Sequence, residues 1–165
     1  MNLVLILMRH AKSSWSNPFL ADFDRPLNRR GRQAAIDLGN WLRRESFYPE
    51  EVLISGAVRT FQTFESLKLE IGPKYERSLY MAGSDTMFSV LATATRKSVL
   101  MIAHNPGIAD FAERLVRRCP DHNRFRDYPT GATLVVRFDQ ERWEDIRPKT
   151  GLALRFVIPR ELADV

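Results

Sequence analysis

Two apolar runs, LVLILM at residues 3–8 and SVLMIA at residues 98–103, constrain this chain more than any other feature in it. Continuous apolar runs of this length read as strands buried on both faces, the kind found where helices cover both sides of a parallel sheet. Amphipathic segments separate them. In residues 28–45, Ala35, Leu38, Trp41 and Leu42 recur on one helical face, and EVLIS at 51–55 is a second short strand. Residues 57–72 read as a helix stopped by Gly72 and Pro73, followed by an extended piece at 74–79 and a helix over about 85–95 capped by Ser84. After residues 98–103, Asn105 as cap and Pro106 in the first turn open a helix whose Ile108, Phe111, Ala112, Leu115 and Val116 form the clearest stripe in the chain. The tail holds two more strands, 132–138 and 152–158, joined through a polar segment containing Trp143. The pattern predicts an α/β fold: a three-layer sandwich with a largely parallel central sheet flanked by helices and finished by an antiparallel edge strand.

Bulk properties narrow the function classes. A chain of 165 residues with no repeat, low-complexity tract or Gly/Ser linker is expected to form one domain, 1–165, large enough for its own core. Cys119 is the only cysteine, so no intrachain disulfide can form, and a reducing compartment, the cytoplasm, is the expectation. No segment reaches the roughly 18 apolar residues of a membrane span, and no basic region precedes the first apolar run, so a soluble protein without membrane association is expected. The net charge of +5 is spread from Arg9 to Arg160 among twenty acidic residues, which argues against a nucleic-acid partner. Arginines outnumber lysines 20 to 5, a bias that suits bidentate recognition of phosphate without establishing it.

Three strand ends carry the chemistry. His10 follows residues 3–8 with Arg9 before it, Arg59 lies just past residues 51–55, and His104 directly follows residues 98–103. In an open parallel sheet these carboxyl ends share the edge at which ligands bind. Each residue alone has an ordinary structural reading, but the chain has three histidines and two occupy equivalent positions. Arg59 stands in the first turn of its helix, where the macrodipole disfavours a cation unless an anion binds there too. His122, in a polar loop, is read as a surface residue.

Two guanidiniums and two imidazoles around one point suit a tetrahedral dianion, and phosphate is the natural candidate. No carboxylate cluster accompanies them, so a metal site is not expected, and neither is a cofactor. A neutral, oriented imidazole is a competent nucleophile, and covalent capture splits phosphoryl transfer into two easier steps. The arginines and the second histidine would then offset charge on the equatorial oxygens.

LMRHAKSSW resembles the Arg-His-Gly signature of the histidine phosphatase superfamily (phosphoglycerate mutase-like), with Ala11 at the glycine position. DRPLNRRGRQAAIDLG, SGAVRTFQT and VLMIAHNPGI resemble its later motifs in order and spacing, so the resemblance spans residues 3 to about 118. The short chain and the His-Asn-Pro-Gly segment look most similar to SixA-type phosphohistidine phosphatases. The resemblance implies a phosphoglycerate mutase-like fold, His10 as the residue phosphorylated in the intermediate, and a phosphate pocket of Arg9, Arg59 and His104. Ser13 is implied to add a hydroxyl contact, and Lys12 departs from the acidic residue common in that loop.

Many relatives carry a carboxylate proton donor after the third strand. Here Glu76 is the one obvious candidate, with Asp85 behind it, and a solvated strand-end charge is the ordinary reading of Glu76. An alcohol leaving a phosphate ester needs a proton, whereas imidazole leaving phosphohistidine can depart neutral. A pocket without a donor therefore favours P–N over P–O substrates. The expected partner is a phosphohistidine-bearing protein, reached through an open site rimmed by residues 13–27 and 120–132, and the chain is expected to be a monomer. Two alternatives stand beside this reading: a phosphatase or mutase of small phosphorylated molecules using Glu76 as acid, and a phosphate- or nucleic-acid-binding module without turnover.

Overall fold

The computed structural model describes residues 2–163 and contains one six-stranded sheet. Its strands are β1 (Leu3–Arg9), β2 (Glu51–Ile54), β3 (Lys74–Tyr75), β4 (Ser98–Ala103), β5 (Thr133–Phe138) and β6 (Leu152–Val157), in the spatial order β3-β2-β4-β1-β5-β6. β3, β2, β4 and β1 run parallel, while β5 is antiparallel to both β1 and β6. The sheet is thus largely parallel at one end and antiparallel at the other. No helix among the described residues is long and apolar enough to cross a membrane.

The unbroken apolar runs have the cause inferred from them. Along β1, Leu3, Leu5 and Leu7 join one buried cluster, while Ile6 and Met8 join another on the opposite face. β4 divides likewise, with Val99 and Met101 on the first side and Leu100 and Ile102 on the second. Helices α3 (Ser84–Leu91) and α4 (Gly107–Leu115) cover the first face through Met87, Ile108, Phe111 and Leu115. Helices α1 (Arg29–Arg44) and α2 (Val58–Leu67) cover the second through Leu38, Trp41, Leu42 and Leu67.

Several boundaries depart from the periodicity reading. α2 ends at Leu67, not at Gly72, because Lys68 takes a left-handed conformation at φ 57°. Residues 74–79 hold only a two-residue strand and then a 3-10 turn over Arg77–Leu79. Ser84 does not cap α3: Gly83 occupies that position, and the Ser84 hydroxyl donates to Asp110 of α4. Asn105 does not cap α4 either; Pro106 holds the cap position, and Asn105 Nδ2 donates to the carbonyls of Asp127 and Tyr128. Both side chains bind across to another segment where their own helix was expected. Val116 closes α4 in an extended conformation and lies outside it.

Two glycines set the strand-end loops against the helices. A Cβ on Gly31 of α1 would overlap the Lys12 carbonyl oxygen, and one on Gly107 of α4 would overlap that of Ala82. Both obstacles are backbone, so the helix itself must shift to admit a methyl group. Gly31→Ala and Gly107→Ala are each expected to lose roughly 1–3 kcal/mol, overpacking outweighing the helix-propensity gain of about 1 kcal/mol. Urea unfolding checks this, and a loss below about 0.5 kcal/mol at both sites would show that the contacts yield freely.

Candidate active site

Register explains why the two histidines meet. In the parallel β1–β4 pair Arg9 stands opposite Ala103, so the next residues, His10 and His104, leave the sheet side by side. The His10 amide still donates to Ala103 O at 3.2 Å, and the ring centroids lie 5.2 Å apart. β2 flanks β4 on its other side, and the turn after it leads through Ala57, the α2 N-cap, to Arg59. All three are almost wholly buried, at 5% exposure for His10, 1% for His104 and 2% for Arg59.

The hydrogen-bond network assigns both ring tautomers. His10 Nδ1 lies 2.7 Å from the Ala11 carbonyl, which only accepts, so Nδ1 carries the proton and Nε2 keeps its lone pair. Arg59 Nε–H faces that lone pair at 3.4 Å, a long contact that orients the ring without claiming the nitrogen. Thr60 Oγ1 lies 2.8 Å from Ser55 O and 2.7 Å from Ala57 O, so its single proton is committed to a carbonyl. Ser55 therefore donates to Thr60 Oγ1 and accepts from His104 Nε2–H at 2.7 Å. That leaves His104 Nδ1 as an acceptor facing Arg59 Nη2 at 3.3 Å, which agrees independently with a donor-only guanidinium.

Burial is the main reason both imidazoles are held neutral. It pushes His10 down to about 3, helped by His104, Arg59 and Arg9 and opposed by the bond to Ala11. His104 is likewise lowered to about 3, by burial first and then by Arg59, with a lesser push from Arg9, against an upward pull from Asp22. An arriving dianion would reverse the repulsive part of this balance.

The residues open into a cavity of about 300 Å³ that Lys12, Ser13, Trp15, Asp22, Arg25, Met81, Asn105 and Thr130 also line. Arg9 joins it from the end of β1, its Nη1 donating to Tyr128 O at 3.2 Å and its buried Nε without a partner among the described residues. Ser13 Oγ accepts from Arg25 Nη1. Glu76 does not line this cavity; its amide donates to Ile54 O at the end of the short β3 segment. Asp85 pairs with Arg114 on α4, and His122 pairs with Glu161, each outside the cavity lining.

The carboxylate in the cavity is Asp22, which the strand-end reasoning missed. It accepts from Tyr80 Oη, from Arg25 at 2.7 Å and from Arg59 Nη2 at 3.1 Å. The Tyr80 hydrogen bond, followed by Arg25 and Arg59, holds its carboxyl far below the usual carboxylate range despite an opposing burial effect. Tyr80 is correspondingly raised, first by its bond to Asp22. Asp22 opens a 3-10 turn and Tyr80 directly follows another, and such turns show no hydrophobic period; the density of charge in ADFDRPL was the available signal.

Comparison with known proteins agrees with this geometry. The model of the histidine phosphatase superfamily (branch 1) matches residues 5–79. An uncharacterised protein of Mycobacterium leprae is 30% identical over 162 residues, covering 93% of this chain and all of that one. A structure from Nakamurella multipartitia, assigned as the phosphohistidine phosphatase SixA, superposes with a TM-score of 0.84 at 27% identity, covering 96% of this chain and 97% of its own. Another so assigned, from Agrobacterium tumefaciens, gives 0.78 at 27% identity over 95% and 98%.

The neutral imidazoles make a pH prediction. Nitrogen-detected NMR of the free protein should show His10 and His104 unprotonated at Nε2 and Nδ1 respectively, with no titration near 6.5 and protonation only toward about 3. The unfolded chain takes up those protons as pH falls through 6.5 while the native state does not, so stability should decline with acidification between 6.5 and about 3. Midpoints between about 6 and 7 for both rings would contradict the assignment.

Proposed function

The chain belongs to the histidine phosphatase superfamily and is a SixA-type phosphatase, and on that premise we propose that it hydrolyses the P–N bond of phosphohistidine in a protein, through a phosphoryl intermediate on His10. One observation carries the reading: the cavity presents an imidazole lone pair among cationic donors while the one carboxylate among its described lining residues is held ionised.

The phosphoryl group sits against Arg9, Arg59 and His104, with His10 Nε2 in line behind phosphorus. Nε2 attacks, the P–N bond of the substrate breaks, and its electron pair stays on the departing ring. That ring leaves as neutral imidazole when its other nitrogen already carries a proton, as an ordinary imidazole does below about 6.5. The guanidiniums offset charge on the equatorial oxygens, and His104 Nδ1, once protonated beside the dianion, adds a donor. Water then attacks the phosphoryl group, the P–Nε2 bond breaks with its electron pair returning to Nε2, and both of the water's protons leave on the product as dihydrogen phosphate.

An ester makes a different demand, because its alkoxide must be protonated as it leaves. Asp22 has no proton to give at neutral pH, and Tyr80 is raised. Glu76, the acid of the small-molecule alternative, does not line the cavity. These features support P–N substrates. The open mouth, rimmed by residues of the 13–27 loop and by Asn105 and Thr130, supports a residue presented on a protein surface.

A panel of a phosphohistidine peptide and alkyl phosphate esters tests the proposal. The expected kcat/KM ratio favours phosphohistidine by about 10²-fold or more, the scale of a missing general acid. Preference for the esters would overturn it.

A further inference from the structure

Trp15 is an unexplained expense of exposed surface at the mouth of the site. It is 75% exposed, while the other two tryptophans, Trp41 and Trp143, are 5% and 4% exposed. It is not loosely placed. The Arg25 guanidinium lies 3.6 Å from its ring centroid and covers one face. Arg25 is itself 7% exposed and held by three donors: Nε and Nη2 to Asp22 Oδ1, and Nη1 to Ser13 Oγ. The chain around the indole is pinned as well. Ser13 bridges to Leu27, the Ser14 amide donates to Pro26 O at 2.7 Å, and Ser14 Oγ accepts the Ser16 amide.

Asp22 ties this platform to the phosphate site. Its Oδ1 holds Arg25 under the indole, and its Oδ2 holds Arg59 between the two imidazoles. One carboxylate therefore sets the spacing between a flat, open aromatic face and the point where a phosphoryl group would sit. Both belong to the lining of the same cavity.

We propose that Trp15 is a specificity-determining residue, the surface on which a planar leaving group stacks while its phosphoryl group lies among Arg9, His10, Arg59 and His104. This deepens the phosphohistidine reading and rests on it for the identity of the ring. A stacked imidazole is held with its P–N bond directed into the pocket and its distal nitrogen toward solvent, where it can acquire the proton it leaves with. Stacking acts on the bound substrate and the transition state alike, so its loss falls on KM more than on kcat.

The test compares Trp15→Ala and Trp15→Phe with the unaltered chain on four substrates: a phosphohistidine peptide, phosphoramidate, phenyl phosphate and methyl phosphate. The first and third carry a ring, the second and fourth do not, and the first two have P–N bonds. Trp15→Ala should raise KM about tenfold for ring-bearing substrates, with kcat changed less than about twofold, and leave the ringless ones unaffected. Trp15→Phe should restore most of the loss. Because the side chain is exposed and its main contact is the stacking on Arg25, thermal unfolding should move only slightly, by the loss of an exposed cation–π pair. Equal losses on ringed and ringless substrates, or no loss on ringed ones, would overturn the role of Trp15. If neither P–N substrate turns over, the phosphohistidine reading fails, while phenyl against methyl phosphate still decides the platform.

Discussion

Arg59 is the interaction on which the site depends. Its guanidinium is buried, permanently charged, and surrounded by two neutral imidazoles, a backbone carbonyl and one carboxylate. A buried cation without compensation is costly, and Asp22 supplies the compensating charge in the free protein. The same cation helps hold His10 and His104 neutral. It orients His10 Nε2 and His104 Nδ1 toward one point, because both nitrogens face its donors. Asp22 Oδ2 and an incoming phosphate thus compete for one set of donors, and a dianion brings more charge to them than a carboxylate does.

The fold holds this arrangement through backbone register, with few long side chains involved. Parallel pairing of β1 with β4 delivers two histidines to adjacent positions, and a slip of one residue would turn one of them to the opposite face. Thr63 reinforces the junction: its Oγ1 accepts the Ala11 amide and donates to Arg59 O, so the histidine loop and the arginine helix share one hydroxyl. Tyr128 performs a similar service on the other side. Its buried hydroxyl joins β1 to β5 through Leu7 O and the Leu134 amide, while its carbonyl accepts from both Arg9 and Asn105.

What the sequence revealed follows the same division. Arg9, His10, Arg59 and His104 were legible because each stands at or just beyond the end of an apolar strand, where periodicity breaks into charge, and a parallel sheet brings such ends together. Asp22, Arg25 and Tyr80 were not, because turns carry no period, and Ser55, just past the end of its strand, was not, because its partner His104 is distant in sequence. Trp15 was visible only as part of a rim, since its exposure and its stacking on Arg25 depend on a loop closing back on itself. Ser84 and Asn105 have the composition of caps, but hydrogen-bonding capacity does not specify direction, and both bind neighbouring segments. The apolar pattern likewise located α2 and α3 while overextending their ends, where a left-handed Lys68 and the turn after Leu91 stop them.

The central claim is that His10 Nε2 takes the phosphoryl group. Rapid quenching of a single turnover into alkali, followed by digestion and mass spectrometry under conditions that preserve acid-labile phosphate, tests it directly. The account predicts a transient phosphoryl group on the peptide containing His10, mapped to that residue. Full turnover with no phosphoryl adduct at any time, or an adduct confined to His104, would contradict it.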